Sequence, residues 1–274
     1  MPANGDHGKV LRGGEFYSPV QARLSTSELL LSELRQPVSR SVPRHEHELA
    51  YVTLVLSGDY LEGDRGKLDE LRPMTAVFNP AGTLHSTIIG PAGAAFFTIE
   101  LRPENLRELG IRLPERTTFD HGAGAMLWPG LRLYSAFKSQ TADALTVDGE
   151  VLELLGAISV FEKSKRDQPR WLGRVKDRLH AGFRDGLRMR DLAREAGVHP
   201  VHLARVFRKF ERRTPGDYLQ QLQVRAACEL LRDRECPLAG IAVDCGFADQ
   251  SHLTRVFRRR TGTTPARFRA MLAA

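Results

Sequence analysis

One segment of this 274-residue sequence occurs twice in the carboxyl-terminal half, about fifty residues apart. The first copy, Asp191 to Tyr218, reads DLAREAGVHPVHLARVFRKFERRTPGDY, and the second, Gly240 to Phe268, reads GIAVDCGFADQSHLTRVFRRRTGTTPARF. The second copy has one extra residue in its turn, after which LARVF matches LTRVF and both copies continue to Thr-Pro. A helix, a glycine turn and an arginine-bearing helix, repeated in this way, predict two helix-turn-helix units.

We expect the units to span residues 189–210 and 238–260. In each, the first helix should end at a glycine, Gly197 or Gly246, because glycine tolerates the left-handed turn between the helices. The second helix should begin behind Pro200 in one copy and Asp249 in the other. The positions predicted to bury against the first helix are apolar in both copies, namely Leu203, Val206 and Phe207, and Leu253, Val256 and Phe257.

The opposite face of each second helix carries polar and cationic side chains. Arg205 and Arg255 lie one turn from their helix starts, where a helix docked in the major groove reaches base edges, and arginine bonds guanine bidentately. Gln250 can bond adenine in the same way. The side chains predicted to contact phosphates are His202, Arg208, Lys209, His252, Arg258 and Arg259.

Charge is divided unevenly along the chain, although the net charge is only +7. From Lys165 onward there are 24 lysines and arginines against 12 acidic residues, a net charge of +12, whereas residues 1–164 carry −5. The half with the repeat is therefore the basic one, which favours binding to a polyanion such as double-stranded DNA.

The first 120 residues or so contain short β-branched and aromatic runs, separated by Gly, Pro and Asp, which predict a small β-barrel or sandwich. These runs are LAYVTLVL, TAVFNP, HSTIIG and AAFFTIEL. Helices are expected at Ala125–Gln140 and at Asp148–Phe161, whose apolar stripe packs either on the barrel or on a second subunit. The predicted fold class is α+β multidomain, with a sensor domain at 1–165 and an all-α domain at 166–274.

With these motifs the chain resembles the AraC/XylS family of bacterial transcription regulators, from about Trp171 to Met271. The resemblance implies that a helix over Pro215–Arg232 joins two units that enter successive major grooves of promoter DNA. It also implies RNA polymerase and an unknown small-molecule effector as partners, and activation of transcription. The base-contacting places of the family fall on Val201, Ala204, Arg205, Ser251 and Arg255.

Two histidine motifs lie in the first half, HEH with His45 and His47, and PAGTLH ending at His85. Together they resemble the cupin barrel, whose metal-binding members hold an ion with three histidines and a glutamate. Tyr51 stands where that resemblance expects the glutamate. Three readings stay open for His45, His47, Tyr51 and His85: a divalent-metal site, the lining of a ligand pocket, or purely structural side chains.

The overall prediction is a ligand-responsive transcription regulator that is not an enzyme and requires no cofactor. The alternative is a cupin-type metal-dependent enzyme fused to a DNA-binding domain. Without an apolar run near the ~20 residues that span a bilayer, and without a signal-peptide core, we expect a cytoplasmic protein with no membrane contact. A homodimer is a further expectation.

Overall fold

The computed structural model describes residues 8–26, 29–64, 67–103, 106, 111–120, 124–139, 144–160 and 168–273. The chain divides into two compact units, Met1–Ser159 and Val160–Ala274. The predicted boundary between residues 165 and 166 lies outside the described residues and stays a prediction. No helix in the described ranges is both long and apolar enough to cross a membrane.

The amino-terminal unit is built on one sheet, in which the described residues form nine strands. The strands are β1 Lys9–Leu11, β2 Val20–Ser25, β3 Leu29–Gln36, β4 Arg40–His47, β5 Ala50–Asp64, β6 Lys67–Leu71, β7 Thr75–Asn79, β8 His85–Leu101 and β9 Thr118–Asp120. The order along the sheet is β1-β4-β8-β5-β7-β9, with β3 also on β8, β2 on β3 and β6 on β5. Neighbouring strands are antiparallel except β1 and β4.

The two long strands β5 and β8 lie next to each other at the centre of this sheet. Each pairs with the other along most of its length and shares its second edge between two shorter strands. The pairing shifts register on either side of Gly58, whose φ is +82°. A Cβ on Gly58 would lie 2.0 Å from the carbonyl oxygen of Gly93, so only glycine fits this bend.

The core of the unit draws on both ends of both long strands. Val55 and Tyr60 of β5 pack with Ile89 and Phe96 of β8, and with residues of β3, β6 and β7, in one buried cluster. A β-rich region is therefore confirmed, and this apolar cluster adjoins the polar cavity described below. That it is a cupin barrel stays a prediction.

Two helices follow the strands, α1 at Leu127–Ser139 and α2 at Ala144–Val160. The buried carboxylate of Asp120 holds the start of α1 by accepting hydrogen bonds from the backbone nitrogens of Gly124 and Met126, each at 2.8 Å. The apolar stripe of α2 is buried within the single chain at Val151, Leu154, Leu155 and Ile158. Those four side chains are therefore covered by this chain itself and do not need a second subunit to bury them.

The carboxyl-terminal unit is helical throughout its described residues. Its helices are α3 Arg170–Gly182, α4 Met189–Ala196, α5 Pro200–Glu211, α6 Pro215–Leu230, α7 Leu238–Asp244, α8 Gln250–Thr261 and α9 Pro265–Ala273. We call α4 with α5 the first helix pair and α7 with α8 the second helix pair. Both pairs coincide with the segments predicted from the repeat, and α6 ends two residues before the predicted Arg232.

Each helix pair turns at the expected glycine. Gly197 has φ +68° and Gly246 has φ +78°, both left-handed. Beyond the turn, the Oδ1 atom of Asp249 accepts a hydrogen bond from the backbone nitrogen of His252 at 2.6 Å, which caps α8. In the first copy, Pro200 occupies the first turn of α5 as predicted.

The apolar faces of the two second helices are buried almost as predicted. Leu203 and Phe207 of α5, and their counterparts Leu253 and Phe257 of α8, are fully buried. Val256 is buried as well, but its counterpart Val206 is only half-buried. The aromatic packing repeats too, because Phe207 meets Tyr218 edge to face at 5.4 Å and Phe257 meets Phe268 at 5.3 Å.

Candidate DNA interface and buried histidine cluster

The outer face of α5 exposes the side chains expected to meet DNA. Val201 is 69% exposed at the start of the helix. Arg205, Arg208 and Lys209 follow on the exposed side, and Ala204, next to Arg205, is half-buried. The first helix pair therefore offers an apolar contact near the start of α5 and cations further along.

The outer face of α8 is more polar. Exposed residues of α8, together with Thr254 and Thr264, line an open concave surface. These exposed residues are Gln250, Ser251, Arg255, Arg258 and Arg259. Positions 251, 255, 258 and 259 follow the spacing of one helix face. All the predicted base-contacting residues of the second helix pair are thus gathered on one accessible surface.

The two equivalent histidines of the repeat have different surroundings. His202 is exposed, its Nδ1 accepts a hydrogen bond from Nη2 of Arg205 at 3.3 Å, and its ring lies 5.9 Å from that of Trp171. His252 is half-buried, meets Phe247 edge to face at 5.4 Å and accepts a hydrogen bond from the backbone nitrogen of Ala248 at 3.4 Å. The Nδ1 of each is therefore engaged within the unit, which leaves Nε2 as the atom that could meet a phosphate.

Arg260 was not singled out in the sequence, because it continues a run of three arginines. It is half-buried, and its Nη2 donates to Oδ1 of Asp217 at 2.8 Å, which joins α8 to α6. Hydrogen bonds from Thr214, together with the Arg260 guanidinium, hold the pKa of Asp217 below its usual value. The repeat carried a signal for this role, since the equivalent residue of the first copy is the apolar Phe210.

The amino-terminal unit brings its three predicted histidines together. His45 and His47 lie on the same side of β4 because side chains alternate along a strand, and His45 is in register with His85 at the start of β8. All three are buried, and one ring nitrogen of each lies within 4.8 Å of the other two. The spacing of the motifs therefore predicted a real cluster.

Backbone carbonyls orient two of the rings. Nδ1 of His45 lies 2.9 Å from the carbonyl oxygen of Pro43, and Nδ1 of His85 lies 3.1 Å from that of Thr83. A carbonyl oxygen can only accept, so both Nδ1 atoms carry hydrogen, and in the neutral rings both Nε2 atoms keep an unprotonated lone pair. Among the described residues no hydrogen-bond partner faces Nδ1 of His47.

The imidazoles of His45 and His47 stay neutral at physiological pH. Burial lowers the pKa of His45 to about 4 and that of His47 to about 3, with a further lowering by neighbouring histidines. A neutral imidazole is the form that accepts hydrogen bonds and binds transition metals. The cluster can therefore serve as a ligand set or as a polar wall.

Tyr51 stands beside the cluster as predicted, but it belongs to a larger polar network. Its hydroxyl lies 3.2 Å from Nε2 of His85 and accepts a hydrogen bond from Nδ2 of Asn79 at 3.1 Å. Asn79 also donates to Glu62 at 2.6 Å, and Glu62 accepts from the hydroxyl of Tyr60. Sequence reasoning missed Asn79 and Glu62, although Glu62 is a charged residue within a long apolar strand.

A small cavity adjoins the cluster, with a volume of about 60 Å³. Threonine hydroxyls and aromatic rings share its lining with the histidines, at Thr53, Thr87, Thr98, Tyr60 and Phe96. Two residues that precede β2 cover it from the other side, since Tyr17 contacts His45 at 5.0 Å between ring centroids and Phe16 contacts His47 at 5.6 Å. This volume suits an ion or a molecule of a few atoms, whereas pockets for drug-sized ligands measure about 300–1,000 Å³.

Comparison with known proteins matches the repeat region. Residues 192–271 match the helix-turn-helix domain model. The regulatory protein SoxS of Escherichia coli (strain K12) is 37% identical over 81 residues, which cover 30% of this chain and 76% of SoxS. The bifunctional transcriptional activator/DNA repair enzyme AdaA of Bacillus subtilis (strain 168) is 31% identical over 107 residues, 39% of this chain and 51% of AdaA.

Among solved structures, ToxT from Vibrio cholerae O395 aligns with 91% of this chain and 100% of its own. The identity is 13% and the TM-score 0.40. The chain thus spans about three quarters of SoxS but only half of AdaA.

Proposed function

Because the chain belongs to the AraC/XylS family of transcription regulators, we propose that its two helix pairs bind adjacent turns of one promoter. In this proposal both pairs act as helix-turn-helix units and insert α5 and α8 into successive major grooves. The observation that carries it is the repeated exposure of an arginine one turn into each helix, at Arg205 and Arg255, on a unit of strong positive charge.

The proposed readout differs between the two helices. On α5, Arg205 reads guanine while Val201 and Ala204 offer apolar contact to a thymine methyl group. On α8, Gln250, Ser251 and Arg255 supply hydrogen bonds to base edges. The phosphate-contacting side chains of the proposal are His202, Arg208, Lys209, His252, Arg258 and Arg259.

Binding to genomic DNA tests this function. We expect the full-length protein to retain a small set of genomic fragments, and to bind them at least 10³-fold more tightly than random DNA at physiological salt. Replacing Arg205 and Arg255 together by alanine should remove most of this preference while leaving the weaker binding to random DNA, which rests on charge. Equal affinity of the wild type for retained and random fragments would contradict the proposal.

We further propose that the amino-terminal unit is the sensor, with the cupin-like histidine cluster as its binding site. The residues fit a divalent transition metal, because they offer three buried imidazoles, two of them oriented by carbonyls, and the orphaned nitrogen of His47. Nitrogens around a tetrahedral zinc are about 3.3 Å apart, so the rings would have to close slightly. Such an ion supplies a link between the strands that carry the cluster.

The sensing role carries no proposed catalysis. SoxS is named as a regulator and AdaA as both an activator and a repair enzyme, so the enzyme alternative needs a test of its own. All three cysteines of this sequence, Cys228, Cys236 and Cys245, lie in the carboxyl-terminal unit, so the unit that holds the cavity contains no thiol. Metal analysis and a turnover assay on the purified protein separate the readings, since stoichiometric metal with turnover would favour the enzyme. A homodimer, RNA polymerase as a partner, and a cytoplasmic location with the promoter belong to the proposal as well.

A further inference from the structure

The hydrogen bond between Tyr51 and His85 has a fixed direction. In the neutral ring of His85, Nδ1 donates to the carbonyl oxygen of Thr83 at 3.1 Å, so Nε2 carries no hydrogen and can only accept. The Tyr51 hydroxyl, 3.2 Å away, is therefore the donor. The only lone pair that His85 could offer to a metal is already in use.

The other side of Tyr51 holds the hydroxyl in this orientation. Asn79 donates to the Tyr51 oxygen at 3.1 Å and to Glu62 at 2.6 Å. The Asn79 carbonyl oxygen accepts from Oγ1 of Thr117 at 2.7 Å, which fixes the orientation of the amide. Because Tyr51 and Asn79 are buried, water does not compete for these bonds.

A metal at the cluster needs the same Nε2 atom. The Tyr51 hydroxyl bonds to His85, whereas neither His45 nor His47 shares a hydrogen bond with it. A transition metal binds an imidazole through its unprotonated nitrogen, so an incoming ion must first break the bond from Tyr51. The free energy needed to break that hydrogen bond makes metal binding weaker by the same amount.

We propose that Tyr51 is a built-in competitor for divalent transition metals at the cluster of His45, His47 and His85. This inference rests on the sensor site of the proposed function and adds how that site is regulated. Where the cupin resemblance expects a glutamate that ligates, this chain has a neutral hydroxyl that masks a ligand. The site then responds only at metal concentrations above those that three unmasked histidines would need.

Zinc titration of the metal-free full-length protein, in competition with a chromophoric chelator, tests the inference. Tyr51→Phe keeps the ring and removes the competing hydroxyl, so it should bind zinc about five- to tenfold more tightly than the wild type. Tyr134→Phe is the matched control, because Tyr134 is buried in the same unit but its hydroxyl bonds to Glu33 and not to a residue of the cluster. We expect its zinc affinity to stay within about twofold of the wild type.

Three further measurements test whether the metal binds at this cluster and whether His85 accepts the hydrogen bond. His85→Ala should lose stoichiometric zinc, and cobalt bound to Tyr51→Phe should show the visible absorption of a four-coordinate site. Long-range proton–nitrogen spectra of the metal-free wild type, which need no variant, should show hydrogen on Nδ1 of His85 and an accepted hydrogen bond at Nε2.

The inference fails if Tyr51→Phe gains no affinity, if Tyr134→Phe gains as much, or if His85 carries its hydrogen on Nε2. Absence of zinc binding in both the wild type and Tyr51→Phe would overturn it as well. Affinity for the retained genomic DNA, measured on the same preparations, keeps the results distinct. If the proteins still bind this DNA specifically, only the proposal about the metal site is wrong. If specific DNA binding is absent, the proposed regulator function has failed.

Discussion

Arg255 and Arg258 lie one turn apart on the exposed face of α8, but they are suited to different parts of a duplex. Arg255 is near the helix start, where base edges come within reach, and Arg258 is further along, toward the phosphates. We expect Arg255→Ala to weaken binding to the target by about 1–3 kcal/mol and to relax the preference at one base pair. Arg258→Ala should weaken binding to target and random DNA alike.

Equilibrium binding to the target, to single-base variants of it and to random DNA measures both effects. The salt dependence gives an independent readout, because loss of one phosphate contact should reduce the slope of log K against log salt by about 1. If both variants lose the same affinity on every sequence, the division between base and phosphate contacts is wrong.

The exposed residues of the repeat could be predicted from sequence because both copies share one helical period. Residues such as Arg205 and Arg255 follow directly from that period and from the apolar face opposite them. Asn79 and Arg260 could not be found in this way, because their roles depend on partners far along the chain, Glu62 and Asp217. A polar network between distant strands or helices leaves no periodic signal.

Glu100 is a fully buried carboxyl that should make the stability of the chain depend on pH. Burial raises its pKa from 4.5 to about 7, against the lowering effect of its bond from the Gly14 backbone and of Arg23 and Arg102. Between these two values the folded chain keeps a proton on Glu100 that the unfolded chain has lost, so the contribution of Glu100 to stability falls as the pH rises from 4.5 to about 7.

Glu100→Gln should remove that fall, since the amide oxygen can still accept from Gly14 without a charge. The variant should be more stable than the wild type at pH 8, by up to about 3 kcal/mol, and close to it at pH 5. Urea unfolding at the two pH values measures the difference, with the exposed Glu70→Gln as the control. A variant whose stability differs from that of the wild type by the same amount at pH 5 and at pH 8 would count against this account of Glu100.

At the scale of elements, the two turns of the repeat share a conformation but differ in their surroundings. A Cβ on Gly246 would lie 3.0 Å from both the Cα atom of Arg184 and Nε2 of Gln223, whereas a Cβ on Gly197 would meet nothing within 4 Å. Gln223 also donates to the carbonyl oxygens of Phe183 and Gly246, which ties the second turn to α6 and to the end of α3.

Alanine at the two glycines should therefore have unequal effects. Gly197→Ala should cost about 1 kcal/mol, the strain of a left-handed alanine. Gly246→Ala should cost about 2–4 kcal/mol, because displacement of close neighbours is added. Chemical denaturation of the two variants compares them directly, and equal losses would mean that the packing around Gly246 yields freely.

Helix bounds were better predicted than strand bounds, for a physical reason. Helices α5 and α8 begin at a proline or an aspartate cap and end near left-handed residues, all of which are local signals. The runs HSTIIG and AAFFTIEL looked like two strands because glycine and proline separate them, but both belong to β8. Pairing with the long strand β5 carries β8 through that segment, and nothing local records such pairing.

At the scale of the whole molecule, the two units differ in charge and polarity in the way that their proposed tasks require. The basic residues are concentrated in the unit that carries the repeat, and the neutral buried histidines lie in the acidic one. This division follows from the sequence alone. The occupant of the histidine cavity does not, because its size and hydrogen-bonding groups depend on how β4, β5 and β8 fold together.

The central claim is that two helix pairs of one chain read adjacent turns of a duplex. Hydroxyl-radical footprinting of the full-length protein on a retained genomic fragment tests it most directly. We expect two protected segments on one face of the DNA, about 10 base pairs apart, with Arg205→Ala weakening one and Arg255→Ala the other. Protection of a single segment, or none even at low salt, would contradict the claim.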